Sequence, residues 1–246
     1  MRKVIIVQAR MTSIRLPGKV MLDIAGRPML TQQLRRLKQC SLADDIMVAT
    51  TPNVVDDPVA ELARREHVGC FRGSEEDVLC RYVGAAQEAK TEVVVRVTAD
   101  CPLIDPQVTD QVIKELIQHE TDCDYASNVL IRTYPRGLDC EAFFSDTLFR
   151  VDRIAKTKAA REHVTIFIRS ERPDLFLCRS VEDYENNSDL RWTVDTQQDM
   201  DFVKRVYEEL DLDASQMSYR EILNYIRNNR EMIRLDNQGA TWDPTH

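Results

Sequence analysis

The sequence predicts an α/β fold, a mostly parallel (mixed) central sheet flanked by helices, and three observations predict it. The apolar run Val4-Ile5-Ile6-Val7 opens the chain as a buried strand. From there to Thr121, short apolar runs alternate with segments of helical period, the pattern of right-handed strand–helix–strand crossovers. Val93-Val94-Val95-Arg96-Val97, the most β-branched run in the chain, reads as the fourth strand of that series.

The elements follow in order. Pro28 to Cys40 reads as a helix, with Pro28 at its first position and Met29, Leu30, Leu34 and Leu37 as an apolar stripe. Ile46-Met47-Val48-Ala49 is the second strand, 56–66 a helix and Cys70-Phe71 a short strand. Ser74 is placed to cap the next helix, with Asp77 three residues on as its capping-box partner. After the fourth strand a helix carries Val108, Val112, Ile113, Leu116 and Ile117 on one face. The alternation breaks after Thr121. Asp124–Ser127, Cys140–Phe143, Phe176–Cys178 and Arg191–Val194 are strand candidates, and Asp146–Ile154, Lys158 onward, 197–210 and 218–230 are helical. A single domain over 1–235 is expected, with a loose tail at 236–246.

The 246 residues can bury a sizeable core, and 43% hydrophobic with 30% charged residues fits an ordinary globule. A formal net charge of −8 argues against a general nucleic-acid or membrane-surface binder. The first apolar run ends at Val7, too soon for a signal peptide, and no segment approaches the roughly 20 apolar residues of a membrane span. Seven scattered cysteines with no CxxC pair point to reduced thiols in a cytoplasmic protein. The four histidines form no zinc pattern, and Asp122-Cys123-Asp124 is too short a match to count as a glycosyltransferase metal motif.

Against that acidic background, the loop after the first strand stands out. Gln8 to Lys19 delivers Arg10, Arg15 and Lys19 beside the turn Pro17-Gly18, at the carboxyl end of a strand, where open α/β sheets bind ligands. Arginine meets phosphate as a planar fork and lysine as a point charge, so the loop suits a polyphosphate. It is neither a P-loop nor a GxGxxG turn.

Asp100 ends the fourth strand, in Thr98-Ala99-Asp100-Cys101-Pro102-Leu103-Ile104-Asp105-Pro106, and Asp195 follows Arg191-Trp192-Thr193-Val194. Thr196 and Asp199 have capping-box spacing, which leaves Asp195 without that duty. Magnesium favours one or two carboxylates together with phosphate oxygens and water, and this pair is the candidate set.

Ala9-Arg10, Ser13, Arg15-Leu16-Pro17-Gly18-Lys19 and Gly26-Arg27-Pro28-Met29, with the two aspartate motifs, resemble the sugar cytidylyltransferases, which include CMP-KDO synthetase and the acylneuraminate cytidylyltransferases. The branch most like it is the spore coat polysaccharide biosynthesis type. The resemblance spans most of 3–230. It implies a Rossmann-like nucleotidyltransferase (GT-A-like) fold, with CTP held by Gln8, Ala9, Arg10, Arg15, Gly18, Lys19, Ser74, Thr98 and Asp100. It also implies Mg2+ on Asp100 and Asp195, and catalysis by Arg10, Lys19, Asp100 and Asp195. The KDO enzymes carry Gly before the first aspartate and an acidic residue after it, where this chain has Ala99 and Cys101, so sugar identity does not carry over. Tyr134 to Glu141 and Arg161 to Thr165 resemble acceptor-lining segments. Arg136, Asp139, Glu141, Arg161 and His163 there suit an acidic or amino sugar. The expected activity is transfer of CMP from CTP to a sugar acceptor in a homodimer whose contacts fall within 124–190. A GT-A-type glycosyltransferase and a non-catalytic nucleotide-binding subunit are the alternatives.

Overall fold

The structure, a computed structural model, describes residues 1–215 and 217–238, with side chains described as far as 236. Strand β1 (Lys3–Gln8) lies between β4 (Asp45–Thr50) and β6 (Val93–Thr98), parallel to both. β5 (Gly69–Arg72) extends the sheet in parallel beyond β4. On the other side β8 (Glu141–Phe144) runs antiparallel to β6 and to β7 (Tyr125–Ser127), and β9 (Cys178–Ser180) pairs parallel with β7. The seven-stranded order is β5-β4-β1-β6-β8-β7-β9, the mixed, mostly parallel sheet expected.

Both faces of the sheet are covered, which explains why β1 is apolar from Val4 to Val7 rather than alternating. Ile5 and Val7 join the larger core with α1 (Met29–Leu37), α2 (Asp57–Arg65), α4 (Pro106–Gln118), α7 (Gln197–Glu209) and α8 (Tyr219–Asn228). Val4 and Ile6 face the second core with α3 (Val78–Ala89), α5 (Ser145–Ile154) and α6 (Lys158–His163).

Several boundaries differ from expectation. Pro28 belongs to a two-stranded hairpin, β2 (Asp23–Ile24) with β3 (Arg27–Pro28), and caps α1 rather than opening it. The cap of α3 is Asp77, whose carboxylate accepts from Cys80 N at 2.8 Å; Ser74 Oγ accepts instead from Asp77 N at 3.0 Å, one turn earlier. The last paired strand begins at Cys178 rather than Phe176. Arg191–Val194 is not a strand: it makes a single bridge, Arg191 to Arg136. An apolar run at a sheet rim can be buried by loops as well as by a ladder, and periodicity does not separate the two cases. Residues 236–238 lie in α9 (Arg230–Gln238), and 239–246 fall outside the described residues.

Candidate active site

The carboxyl ends of β1, β4 and β6 form one rim, with Gln8 in register with Ala49 and Thr98. Chain leaving β1 folds into a tight loop: Ser13 N and Gly18 N both donate to Met11 O at 2.9 Å, and Met11 N donates to Asp56 Oδ1 at 2.6 Å. Gly18 sits at φ 70, the left-handed region that glycine enters without a Cβ clash, and it starts the short 3-10 turn that points Lys19 inward.

Asp100 is placed by α1. Gln33 interrupts the apolar stripe of that helix, and its Nε2 donates to Thr98 O at 2.7 Å and to Cys101 O at 3.1 Å, straddling Asp100. Arg36 Nε reaches Ile104 O at 2.6 Å from the same helix. The Asp100 carboxylate accepts from Thr98 Oγ1 at 2.5 Å. The Asp195 segment is stitched to it, since Val194 N donates to Asp100 O at 2.8 Å.

The two aspartates therefore converge, and Lys19 lies between them. Its Nζ is 2.9 Å from Asp195 Oδ1, 4.0 Å from Asp100 Oδ2 and 2.6 Å from Val194 O. Arg15 Nη2 adds a contact to Asp195 Oδ1 at 3.1 Å. Burial would raise the Asp195 carboxyl, but Lys19 first, then Arg15 and Arg191, hold it below the usual carboxylate value. Asp195 also has structural ties that spacing did not predict. Arg191 Nη2 meets its Oδ2 at 2.6 Å, and its N–H donates to Asp199 Oδ2 at 2.8 Å. The Thr196–Asp199 capping box is present.

Not every expected nucleotide residue joins this cluster. Arg10 reaches toward Glu75, 3.8 Å away, and Glu75 also accepts from Thr12 at 3.0 Å and Asn53 at 2.6 Å, tying the first loop to the loop that carries Ser74. Ala9 is buried and extends the ladder to Ala49 O, and Gln8 Oε1 accepts from Arg96 at 3.2 Å.

Among the residues expected to line the acceptor, Arg132 forks onto Asp139 at 2.7 and 2.9 Å. Arg136 is half-buried, and its pKa is lowered by burial and then by its neighbours Arg132 and Arg191. Glu141 is buried and pairs with Arg96, while Tyr125 (2.5 Å) and Thr165 (2.6 Å) donate to its other oxygen. Burial would raise its pKa, yet Arg96 and Arg169 with those two hydroxyls bring it down to about 2. Arg161 forks onto Asp77 and reaches Asp152 at 2.7 Å, clamping α6 to α3 and α5. His163, at the end of α6, is half-buried. Asp122 and Asp124 pair with Arg179 and Arg150 at the β7–β9 edge, away from the rim.

Among the described residues, no three His, Cys, Asp or Glu side chains form a metal cage. Two carboxylates bracketing an ammonium do fit a hard divalent cation that completes its shell with phosphate and water oxygens. Sequence reasoning passed over Gln33, Arg96 and Arg191. A polar residue inside the α1 apolar stripe and a basic one inside β6 were the available signals.

An open α/β sheet with a cationic loop and paired aspartates on its carboxyl rim fits a nucleotidyltransferase. The chain belongs to the cytidylyltransferase family, whose family model matches residues 4–229. It is 31% identical over 223 residues to the spore coat polysaccharide biosynthesis protein SpsF of Bacillus subtilis, covering 86% of this chain and 90% of that one. A solved cytidylyltransferase from Leptospira borgpetersenii superposes with a TM-score of 0.91 at 31% identity, over 98% of this chain and all (100%) of that one. CMP:2-keto-3-deoxy-manno-octonic acid synthetase complexed with CTP shares the fold, with a TM-score of 0.65 at 19% identity over 85% of this chain and 99% of the other. The enzyme class is thus nucleotidyl transfer rather than glycosyl transfer or passive binding. No helix among the described residues is long and apolar enough to cross a membrane, and all seven cysteines are unpaired thiols.

Proposed function

We propose that the chain transfers CMP from CTP to a hydroxyl of an acidic or amino sugar, releasing pyrophosphate, with magnesium held by Asp100 and Asp195. The observation that carries this reading is the convergence of Lys19 and Arg15 on that aspartate pair. Arg10, Arg15 and Lys19 offset charge on the triphosphate and on departing pyrophosphate. Gln8, Ala9, Gly18, Ser74 and Thr98 shape the rest of the nucleotide site. Bound magnesium supplies charge neutralisation and polarises the oxygens around it. Arg136, Asp139 and His163 face the acceptor, Asp139 oriented by the Arg132 fork, while Glu141, which is buried, and Arg161, in their ion pairs, hold the strand and helix behind it.

SpsF, by its name a spore coat polysaccharide protein, supports a role in cell-surface or spore polysaccharide synthesis. We read the enzyme as a cytoplasmic homodimer. Exposed Ile131, Ile154, Leu175 and Leu177 all fall within 124–190, the segment expected to form the contact. Calorimetry with CTP, UTP, GTP and ATP, with and without magnesium, tests the nucleotide half. Selective, magnesium-dependent CTP binding is expected, followed by pyrophosphate release with an acidic or amino sugar. Folded protein that binds no triphosphate would overturn the reading.

A further inference from the structure

The two carboxylate oxygens of Asp195 have different partners. Oδ1 meets the loop cations, Lys19 at 2.9 Å and Arg15 at 3.1 Å. Oδ2 meets Arg191 Nη2 at 2.6 Å. Arg191 is itself braced. Its Nη1 reaches Asp199 Oδ1 at 2.6 Å, and Asp199 Oδ2 accepts from the N–H groups of Asp195 and Thr196 at 2.8 and 2.7 Å. Backbone and side chain of Asp195 are thus tied into one ring through Asp199 and Arg191. From behind, the Arg191 N–H donates to Asp236 Oδ1 of α9 at 3.0 Å. The ring is largely shielded from water, with side-chain exposures of 17% for Arg191 and for Asp195 and 4% for Asp199.

We propose that Arg191 is a positioning residue that commits Asp195 to offering a single oxygen, Oδ1, to the cation of the site, and so sets a preference for magnesium over calcium; this rests on the metal reading above. Magnesium demands near-octahedral geometry at short distance, which one oxygen per carboxylate satisfies. Calcium accepts six to eight ligands, including both oxygens of one carboxylate. Oδ2 is held by Arg191, which is locked in the Asp199 ring, and is withheld from that second mode. Lys19 and Arg15, by contrast, come from the phosphate-binding loop and leave Oδ1 when they turn to the triphosphate. Arg191 meets Asp199 and Asp195 with two separate nitrogens of one planar fork, which the point charge of lysine does not reproduce.

The test compares CTP affinity in magnesium and in calcium, by calorimetry on the full chain, for the unaltered protein, Arg191→Met and Arg191→Lys. Both variants are expected to lose about tenfold or more in magnesium-supported CTP affinity, the usual cost of removing a partner that orients a metal ligand. Calcium-supported affinity holds or rises, so the magnesium-to-calcium ratio collapses. Arg191→Lys keeps a positive charge beside Asp199 and gives a folded variant if the methionine variant does not fold. Equal losses in both metals, or no loss in either, overturn the positioning role and leave the metal reading standing. CTP binding by the unaltered protein that is indifferent to metal removes the metal reading, and this inference with it.

Discussion

Lys19 is the most informative single residue. Its ammonium sits between Asp100 and Asp195, and on the proposed reading a bound triphosphate draws it toward the phosphates. If Lys19 stabilises the phosphates as proposed, Lys19→Ala should cost roughly 10²–10³ in turnover. An unchanged rate of pyrophosphate release would mean that the loop binds without assisting the chemistry. Asp195→Asn keeps an oxygen for Arg191 but loses the anionic ligand. It should abolish turnover at saturating magnesium while the protein still unfolds cooperatively, which activity and thermal melts on one sample would check; full activity would remove the metal role.

Among the elements, the two irregular segments around Gly137 and Trp192 depend on each other. Gly137 is at φ +104, and a Cβ there would lie 2.7 Å from Trp192 C and 2.9 Å from Thr193 N, backbone that cannot move aside cheaply. Arg136 N donates to Leu190 O at 3.0 Å and Trp192 N to Arg136 O at 2.6 Å, so the contact is a short backbone clasp. Gly137→Ala should destabilise the fold by about 1–3 kcal/mol, read as a lower denaturant midpoint; an unmoved midpoint would show that the clasp is dispensable. Helix α9 closes the same region through Asp236, whose pKa burial pushes up from 3.8 to about 7. For an acid with a raised folded pKa, the associated stability is present below the unfolded value and is lost as pH rises through the folded one. Asp236→Asn, which can still accept from Arg191 N, should therefore raise the melting temperature by an amount that grows between pH 3.8 and about 7 and then levels off. A pH-independent difference would contradict this.

At the scale of the whole molecule, the rim joins parts of the chain far apart in sequence. Lys19 and Asp195 lie 176 positions apart, yet are in direct contact. A ligand that binds only this assembled rim stabilises the entire fold. CTP with magnesium at about a hundred times its dissociation constant should add about 2.7 kcal/mol. The shift should appear in thermal melts, exceed that with UTP, and vanish on chelation. A shift that survives chelation would place the nucleotide elsewhere than on the aspartate pair.

The strand–helix alternation through Thr121, the apolar β1 and the cationic loop after it were legible in the sequence, because periodicity, turn residues and charge are local properties. So were Asp100 and Asp195 as strand-end or run-end carboxylates. Convergence was not legible. Val194 N on Asp100 O, Gln33 astride Asp100 and Arg191 on Asp195 are contacts between segments that only packing brings together. The second half of the sheet shows the same limit. β7, β8 and β9 are three or four residues each, too short for a pattern to fix their bounds, and the Arg191–Val194 run reads as a strand but is buried without a ladder. Local sequence determines which residues carry charge at the ends of which elements. The tertiary structure decides which of those charges meet, because partner choice depends on burial and distance in space rather than on spacing along the chain.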